Sequence, residues 1–497
     1  MKQILLSLLL VGFSSAAFCQ SSFYKERYRP RFHFTPPIDW MNDPNGLVYH
    51  HGEYHLFYQF NPMGNRWGHM SWGHAVSRDL LYWEHLSVAL AEEKDTMIFS
   101  GSCVVDQQNS SGFATAPGQV PMVAIYTGHI EGKNQSQHIA YSLDDGRTWK
   151  KYDHNPVLDL GKKDFRDPKV FWYAPEKKWI MAVVLPLEKQ VQLYASHNLK
   201  GWQLMSEFGP AGDTTGIWEC PDLFQVPVAG EPGKYKWVLM HSPAPYMQYF
   251  VGEFDGTRFV NENKTEKIYR PDYGPDYYAA ITYNNLPAGA APISIGWVNN
   301  WDYANAIPTT PWKSMMSLPR NLSVRKKNGE WVLLQQPVTA VQQLRTHQRS
   351  WKNIRTKSEY TLPVQSQVCE LSLSMLIPAE TVSGIRLAAG AGHYFEIGYD
   401  AAQKILYIDR SGAGDTSFHP AFAALSRYQT PLQPVNGKIN LHIFFDKSII
   451  EVFANDGEAV MTAQLFPEEK NNGITLFSKG GAVLFPGIDY WEIKPIW

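Results

Sequence analysis

Cysteine is scarce in this 497-residue chain: besides Cys19 near the start there are only Cys103, Cys220 and Cys369, far apart from one another. Such spacing excludes a disulfide framework and a CxxC metal site, leaves room for at most one bridge, and makes burial as small apolar groups the default. Charge is also sparse, at 19% of residues with a net charge of -2, so no electrostatic footprint for nucleic acid or an anionic membrane is present. After the first residues no apolar run is long enough to span a bilayer. No phosphate-cradling glycine loop, Ser/His/Asp set or dinucleotide fingerprint occurs, and no cofactor is called for. Long stretches with helical period are missing too, which argues for an all-β chain.

What is present begins with a leader. Lys2 precedes a mostly apolar run from Ile4 to Phe13, then small residues Ser14 to Ala17. This is the pattern of a signal peptide over residues 1–19, and it predicts export to the periplasm or the exterior. Cys19 raises lipid anchoring as a second route, disfavoured by the bulky Phe18 before it.

Aromatic residues reach 14%, suited equally to stacking on sugars and to packing β-sheets. From about residue 30 to 335, short runs such as Tyr54 to Phe60, Val123 to Tyr126 and Trp179 to Val184 alternate with Gly, Pro, Asn and Asp. A degenerate repeat runs through them. Ala75-Val-Ser-Arg-Asp-Leu-Leu-Tyr-Trp83 is echoed from Ala140 to Trp149, from Ala195 to Trp202 and, loosely, from Tyr249 to Phe259. Each copy reads as a strand, a polar turn and an aromatic residue opening the next strand. Starts at Ala75, Ala140 and Ala195 suit four-stranded blades with generous loops. The expectation is a five-bladed β-propeller over residues 24–340. Gln336 to Ser358 reads as a polar, weakly patterned connection with a short helix around Val338 to Leu344. Clear alternation then returns, predicting a C-terminal β-sandwich domain over residues 355–497.

Three acids stand among turn formers and aromatics: Asp43 in Trp40-Met-Asn-Asp-Pro-Asn-Gly46, Asp167 in Phe165-Arg-Asp-Pro168 and Glu219 in Trp218-Glu-Cys-Pro221. Two precede proline, which predicts an extended, restrained backbone at each. In a propeller the innermost strands crowd one axis, so acids from the first, third and fourth blades can meet at one mouth. Cleaving a glycosidic bond needs two carboxyls in different protonation states, and a third would raise the donor's pKa by like-charge repulsion. His50, His51, His55, His69, His74 and His85 cluster near the first blade. On an alternating strand His51 and His55 share a face, but no third ligand is placed, so turns and hydrogen bonds are expected rather than a metal.

These blocks, with Phe99-Ser-Gly-Ser102 and the late Phe444 to Asn455 segment, resemble glycoside hydrolase family 32, from about Arg31 to the C-terminus. The resemblance implies a retaining mechanism without a cofactor, acting on levan, inulin or sucrose. It implies Asp43 as nucleophile, Glu219 as acid/base, and Asp167 beside Arg166 as transition-state stabiliser, with the two reacting carboxyls about 5–5.5 Å apart. By the same resemblance Asn42, Gln59, Trp67, Phe99 and Ser100 hold the terminal fructose, with Tyr278, Trp297 and Asn299 as later contributors. Cys220 either tunes the acid or packs. The leading expectation is an exo-acting β-fructosidase. Endo-acting levanases or inulinases and fructosyltransferases are close rivals; a non-catalytic binding propeller and an inverting glycosidase are more distant. The sandwich domain is expected to bury one flank of the propeller, with sugar binding and homodimer formation as its other open roles.

Overall fold

The computed structural model describes residues 23–497; the expected signal peptide, with Cys19, lies outside the described residues. Strands dominate, and helix is confined to short turns such as Thr339–Leu344 and Pro420–Ala424. Among the described residues, no helix is long and apolar enough to cross a membrane.

Five antiparallel sheets of four or five strands follow one another from Asp39 to Pro337. Each begins with an inner strand, namely Asp39–His50, Thr96–Val105, Arg166–Tyr173, Trp218–Pro227 and Tyr278–Thr282. Each inner strand lies beside the next, and the fifth returns beside the first, which closes the ring of a propeller. Closure is reinforced where Trp312–Lys313, late in the chain, pairs in parallel with Asp39 and Trp40.

The repeat seen in sequence occupies the turn between the third and fourth strands of successive sheets. Ser77 Oγ donates to Asp79 (3.0 Å), Ser142 Oγ to Asp144 (2.7 Å), and Ser196 Oγ meets Asn198 Oδ1 at 3.3 Å. The acceptors also take backbone N–H groups of the turn, so a small hydroxyl two residues before Asp or Asn fixes its shape. Trp149 and Trp202 then donate their indole N–H to carbonyls inside the turn.

Neighbouring sheets bury a separate apolar layer between them. Phe57, Trp72, Ile98 and Met122 fill the first interface, Ile125, Phe165, Trp179 and Val183 the second, and Leu193, Leu223, Leu239 and Phe250 the third. Polar ties cross the ring below its mouth. The buried Lys169 ammonium donates to the Thr282 carbonyl at 2.5 Å and pairs with Asp222 at 3.4 Å, linking the third, fourth and fifth inner strands. Desolvated charges hold such a position only when paired and hydrogen-bonded.

Two six-stranded antiparallel sheets form the sandwich, packed on a core that includes Leu371, Ile385, Phe395, Ile443 and Phe485. The segment read as a polar connection is in part a strand. Arg345–Thr356 pairs with Val483–Ile493 at the edge of one sheet, mostly exposed and therefore without apolar alternation.

A buried ion network seals propeller to sandwich. Arg320 pairs with Asp272 (3.0 Å) and with Glu451 (2.6 Å); Glu451 also meets His33, which meets Asp446 at 2.8 Å. Burial alone would discharge His33, but its two carboxylate partners outweigh that and push its pKa up to about 9. Cys103, Cys220 and Cys369 are all free and buried.

Candidate active site

Every inner strand breaks register close to the same end. The breaks fall between Met41 and Pro44, Ile98 and Gly101, Glu219 and Asp222, and Tyr278 and Ile281, while the strand opposite Arg166 shifts between Ala182 and Val184. A bulge leaves residues unpaired and re-aims their side chains. The residues freed here include Asn42 and Asp43, Phe99 and Ser100, Asp167, and Cys220. Proline follows three of them, Asp43, Asp167 and Cys220, and suits a bulge because it has no N–H for the ladder. Gly101 is required for another reason: a Cβ there would lie 2.1 Å from the Ile125 carbonyl oxygen.

The restrained extended backbone expected before proline does not hold at Asp167, which takes φ 63°; Cys220, which also precedes a proline, takes φ 48°. The bulge overrides the local preference. Left-handed φ is unusual for a residue with a side chain, and Asp and Asn tolerate it better than most.

Four of the bulges, all but that of Tyr278–Thr282, open onto a cavity of about 480 Å³ lined by Asn42, Asp43, Gln59, Trp67, Phe99, Ser100, Arg166, Asp167 and Glu219, among others. Asp43 is held from three sides. Asn42 Nδ2 donates to one oxygen at 3.1 Å and is itself fixed by the Trp40 indole at 2.7 Å. Ser100 Oγ donates to the other oxygen at 2.7 Å, and the Cys220 thiol approaches it at 3.4 Å. Asp167 accepts the Cys220 backbone N–H at 3.0 Å, while its own N–H donates to Thr127 Oγ1 at 2.9 Å. Cys220 thus bridges the two aspartates.

Glu219 is the most accessible of the three acids, with 20% of its side chain exposed against 6% for Asp167. Arg166 reaches its Oε1 at 3.0 Å and lies 3.9 Å from Asp167. Tyr278 Oη donates to Glu219 Oε2 at 2.5 Å from beneath. Arg166 is anchored in turn by Asp164 (2.8 Å) and Gln135 (3.1 Å).

Burial raises the Asp43 pKa, Glu219 raises it further, and hydrogen bonds from Ser100, Asn42 and Cys220 oppose the rise. Burial likewise pushes Asp167 up to about 7, with Arg166 opposing and the charges of Glu219 and Asp43 adding. An acid whose folded pKa is raised favours folding most below its unfolded value, near 4, and loses that contribution as pH rises toward 7. Asp167→Asn, which keeps an acceptor for Cys220 and tolerates the left-handed φ, is therefore expected to melt higher than the parent at pH 8, with the gap shrinking toward pH 4. Thermal melts at the two pH values check this; an equal gap at both, or a lower melting point at pH 8, contradicts it.

Three expected contacts do not line the cavity. Tyr278 sits under Glu219, Trp297 is fully buried against Trp40 and Trp301, and Asn299 accepts from Gln464 at the sandwich junction at 3.0 Å. In their place the wall includes Trp301, His129, Glu131, Gln135, Asp164, Ile217 and Ala244. His129 stacks on Phe99 with ring centroids 4.4 Å apart, and Trp67 meets Phe99 edge-on at 6.2 Å. Two flat faces and a set of carboxylates suit a polyhydroxylated ring.

The chain is similar to known proteins along most of its length. Residues 33–337 match the model of the glycosyl hydrolases family 32 N-terminal domain, and residues 340–492 that of the family 32 C-terminal domain. A levanase of Bacillus subtilis is 45% identical over 99% of this chain and 74% of its own length. An extracellular exo-inulinase of Aspergillus ficuum is 40% identical over 95% of this chain and 96% of its own. The crystal structure of an exo-inulinase from Aspergillus awamori superposes with a TM-score of 0.89 at 38% identity, covering 95% of this chain and all of that one.

Proposed function

Because the chain belongs to glycosyl hydrolase family 32, we propose that it is a retaining β-fructosidase releasing terminal fructose from levan, inulin and sucrose-like substrates. The observation that carries the reading is the meeting of Asp43, Asp167 and Glu219 round one cavity, tied by Cys220 and Arg166. Asp43 is the nucleophile. Its hydrogen bonds fix one oxygen for attack on C2 of the fructosyl unit, at little entropic cost during reaction. Glu219, the acid nearest solvent, gives a proton to the departing oxygen and then takes one from the incoming water. Arg166 and Tyr278 hold its carboxyl in one orientation. Asp167 binds the fructose hydroxyls and stabilises the cationic transition state.

Asn42, Gln59, Phe99 and Ser100 hold the ring of the terminal fructose, and the half-exposed Trp67 stacks at its entrance. Trp301, Ile217 and Ala244 take the next unit of the chain. On the same reading each of the five sheets is one blade, residues 24–340 make up the propeller, and the sandwich takes residues 355–497 with the edge strand Arg345–Thr356. Export fits the extracellular inulinases among the relatives, with a lipid anchor at Cys19 the less favoured route.

Incubation with levan, inulin and sucrose followed by product analysis tests the mode of action and shows linkage preference. Free fructose is expected as the sole early product from both polymers. A ladder of oligosaccharides would overturn the exo reading.

A further inference from the structure

We propose that His50, His51 and Asp145 form a binding site for one divalent transition-metal ion, zinc being the best match, which clips the first propeller sheet to the second. None of the three lines the cavity of the proposed reaction.

The alternation that would put His51 on one face with His55 is broken at the hairpin between Asp39–His50 and Glu53–Asn61. His51 takes φ 45°, which turns its ring onto that of His50, with centroids 3.8 Å apart and planes 26° from parallel. His55 instead pairs with His74, nitrogen to nitrogen at 3.1 Å. The third ligand comes from the neighbouring sheet. Asp145 lies in the turn between Gln135–Ser142 and Lys150–Lys151, and its Oδ1 stands 3.1 Å from both His50 Nε2 and His51 Nδ1.

All three donor atoms lie within 4.8 Å of one another. Bonds of about 2.0–2.1 Å in a tetrahedral zinc site put donors about 3.3 Å apart, so both His–Asp spacings already fit. His51 makes a hydrogen bond to Asp145, but His50 does not. Its Nε2 is buried and has no hydrogen-bond partner although the carboxylate oxygen is 3.1 Å away. Only 2% of the His50 side chain is exposed, and its nitrogen faces the shared oxygen out of bonding alignment. A cation drawing both atoms toward itself would satisfy them.

The surrounding charges permit it. The nearby Arg147 directs its guanidinium to Glu53 at 2.6 Å and to the Asp145 backbone carbonyl at 2.9 Å, not to the Asp145 carboxylate. His51 and Asp145 are 64% and 50% exposed, so water can reach a fourth position. Two imidazoles and one carboxylate select zinc or its neighbours over magnesium and calcium, which prefer all-oxygen shells.

Calorimetric titration of the tag-free, chelator-treated protein with zinc chloride, and separately with magnesium chloride, tests the site. The expected result is one zinc per chain and no magnesium binding. Zinc affinity should fall about tenfold or more in both His51→Ala and Asp145→Asn, both at exposed turns, while their fructose release stays at the parental rate. Absence of saturable zinc binding in the parent, or an affinity insensitive to either substitution, would overturn the proposal.

Discussion

Asp43→Asn is expected to lower the turnover of fructan substrates by roughly 10⁴-fold or more, leaving the melting point no lower than the parent's and substrate binding measurable. The size follows from what is lost. An amide of the same shape still meets Ser100 and Asn42, but it offers no anion to bond to C2, and the remaining groups act only on a step that no longer has a nucleophile. Steady-state rates on a purified, folded variant check this. A loss of less than about tenfold would remove Asp43 from the nucleophile's place.

Glu219→Gln should cost about 10²–10⁴-fold, and unevenly across substrates. A leaving group that departs without a proton, such as fluoride, relieves the first step, so the penalty shrinks there and persists with sucrose or levan. Water must then attack the intermediate without a base, and the second step becomes limiting. Azide, a nucleophile needing no deprotonation, is expected to restore turnover with fructosyl fluoride and to yield fructosyl azide. Equal losses on fluoride and sucrose, with no azide effect, would deny Glu219 the acid/base role. Neither substitution alters a residue of the buried junction at Arg320 and Glu451, so folding should survive both.

The three acids were legible because each sits in a short motif whose neighbours are themselves structural. Asp-Pro, Ser-Gly and Cys-Pro mark positions where an inner strand bulges, and a bulge at the ring's mouth is what presents a side chain to the cavity. The bulge itself was not legible. The rule that proline extends the residue before it points the wrong way at Asp167, where ring geometry imposes a left-handed backbone. The repeats marked the sheets well, since their Ser and Asp or Asn side chains close the same local turn.

What escaped were residues whose direction depends on where a strand stops. In Gly296 to Asp302 two tryptophans are four positions apart. Trp297 belongs to the strand Ile293–Val298 and packs inward, whereas Trp301 follows the strand's end and faces the cavity. Asn299, between them, is drawn to Gln464 across the domain junction, a partner 165 residues later that no local pattern announces. His129, Glu131 and Gln135 come from the hairpin of the second sheet, and only the placement of Phe99 and Arg166 beside them makes them part of the wall. Arg345–Thr356 was hidden for a simpler reason: an exposed edge strand carries no apolar alternation to detect.

The most direct test of double displacement is to quench Glu219→Gln during reaction with fructosyl fluoride and map the digested protein by mass spectrometry. One fructosyl group is predicted in ester linkage on the peptide carrying Asp43, and none when Asp43→Asn is combined with it. Fluoride release with no covalent adduct, or an adduct on Asp167 instead, would contradict the account.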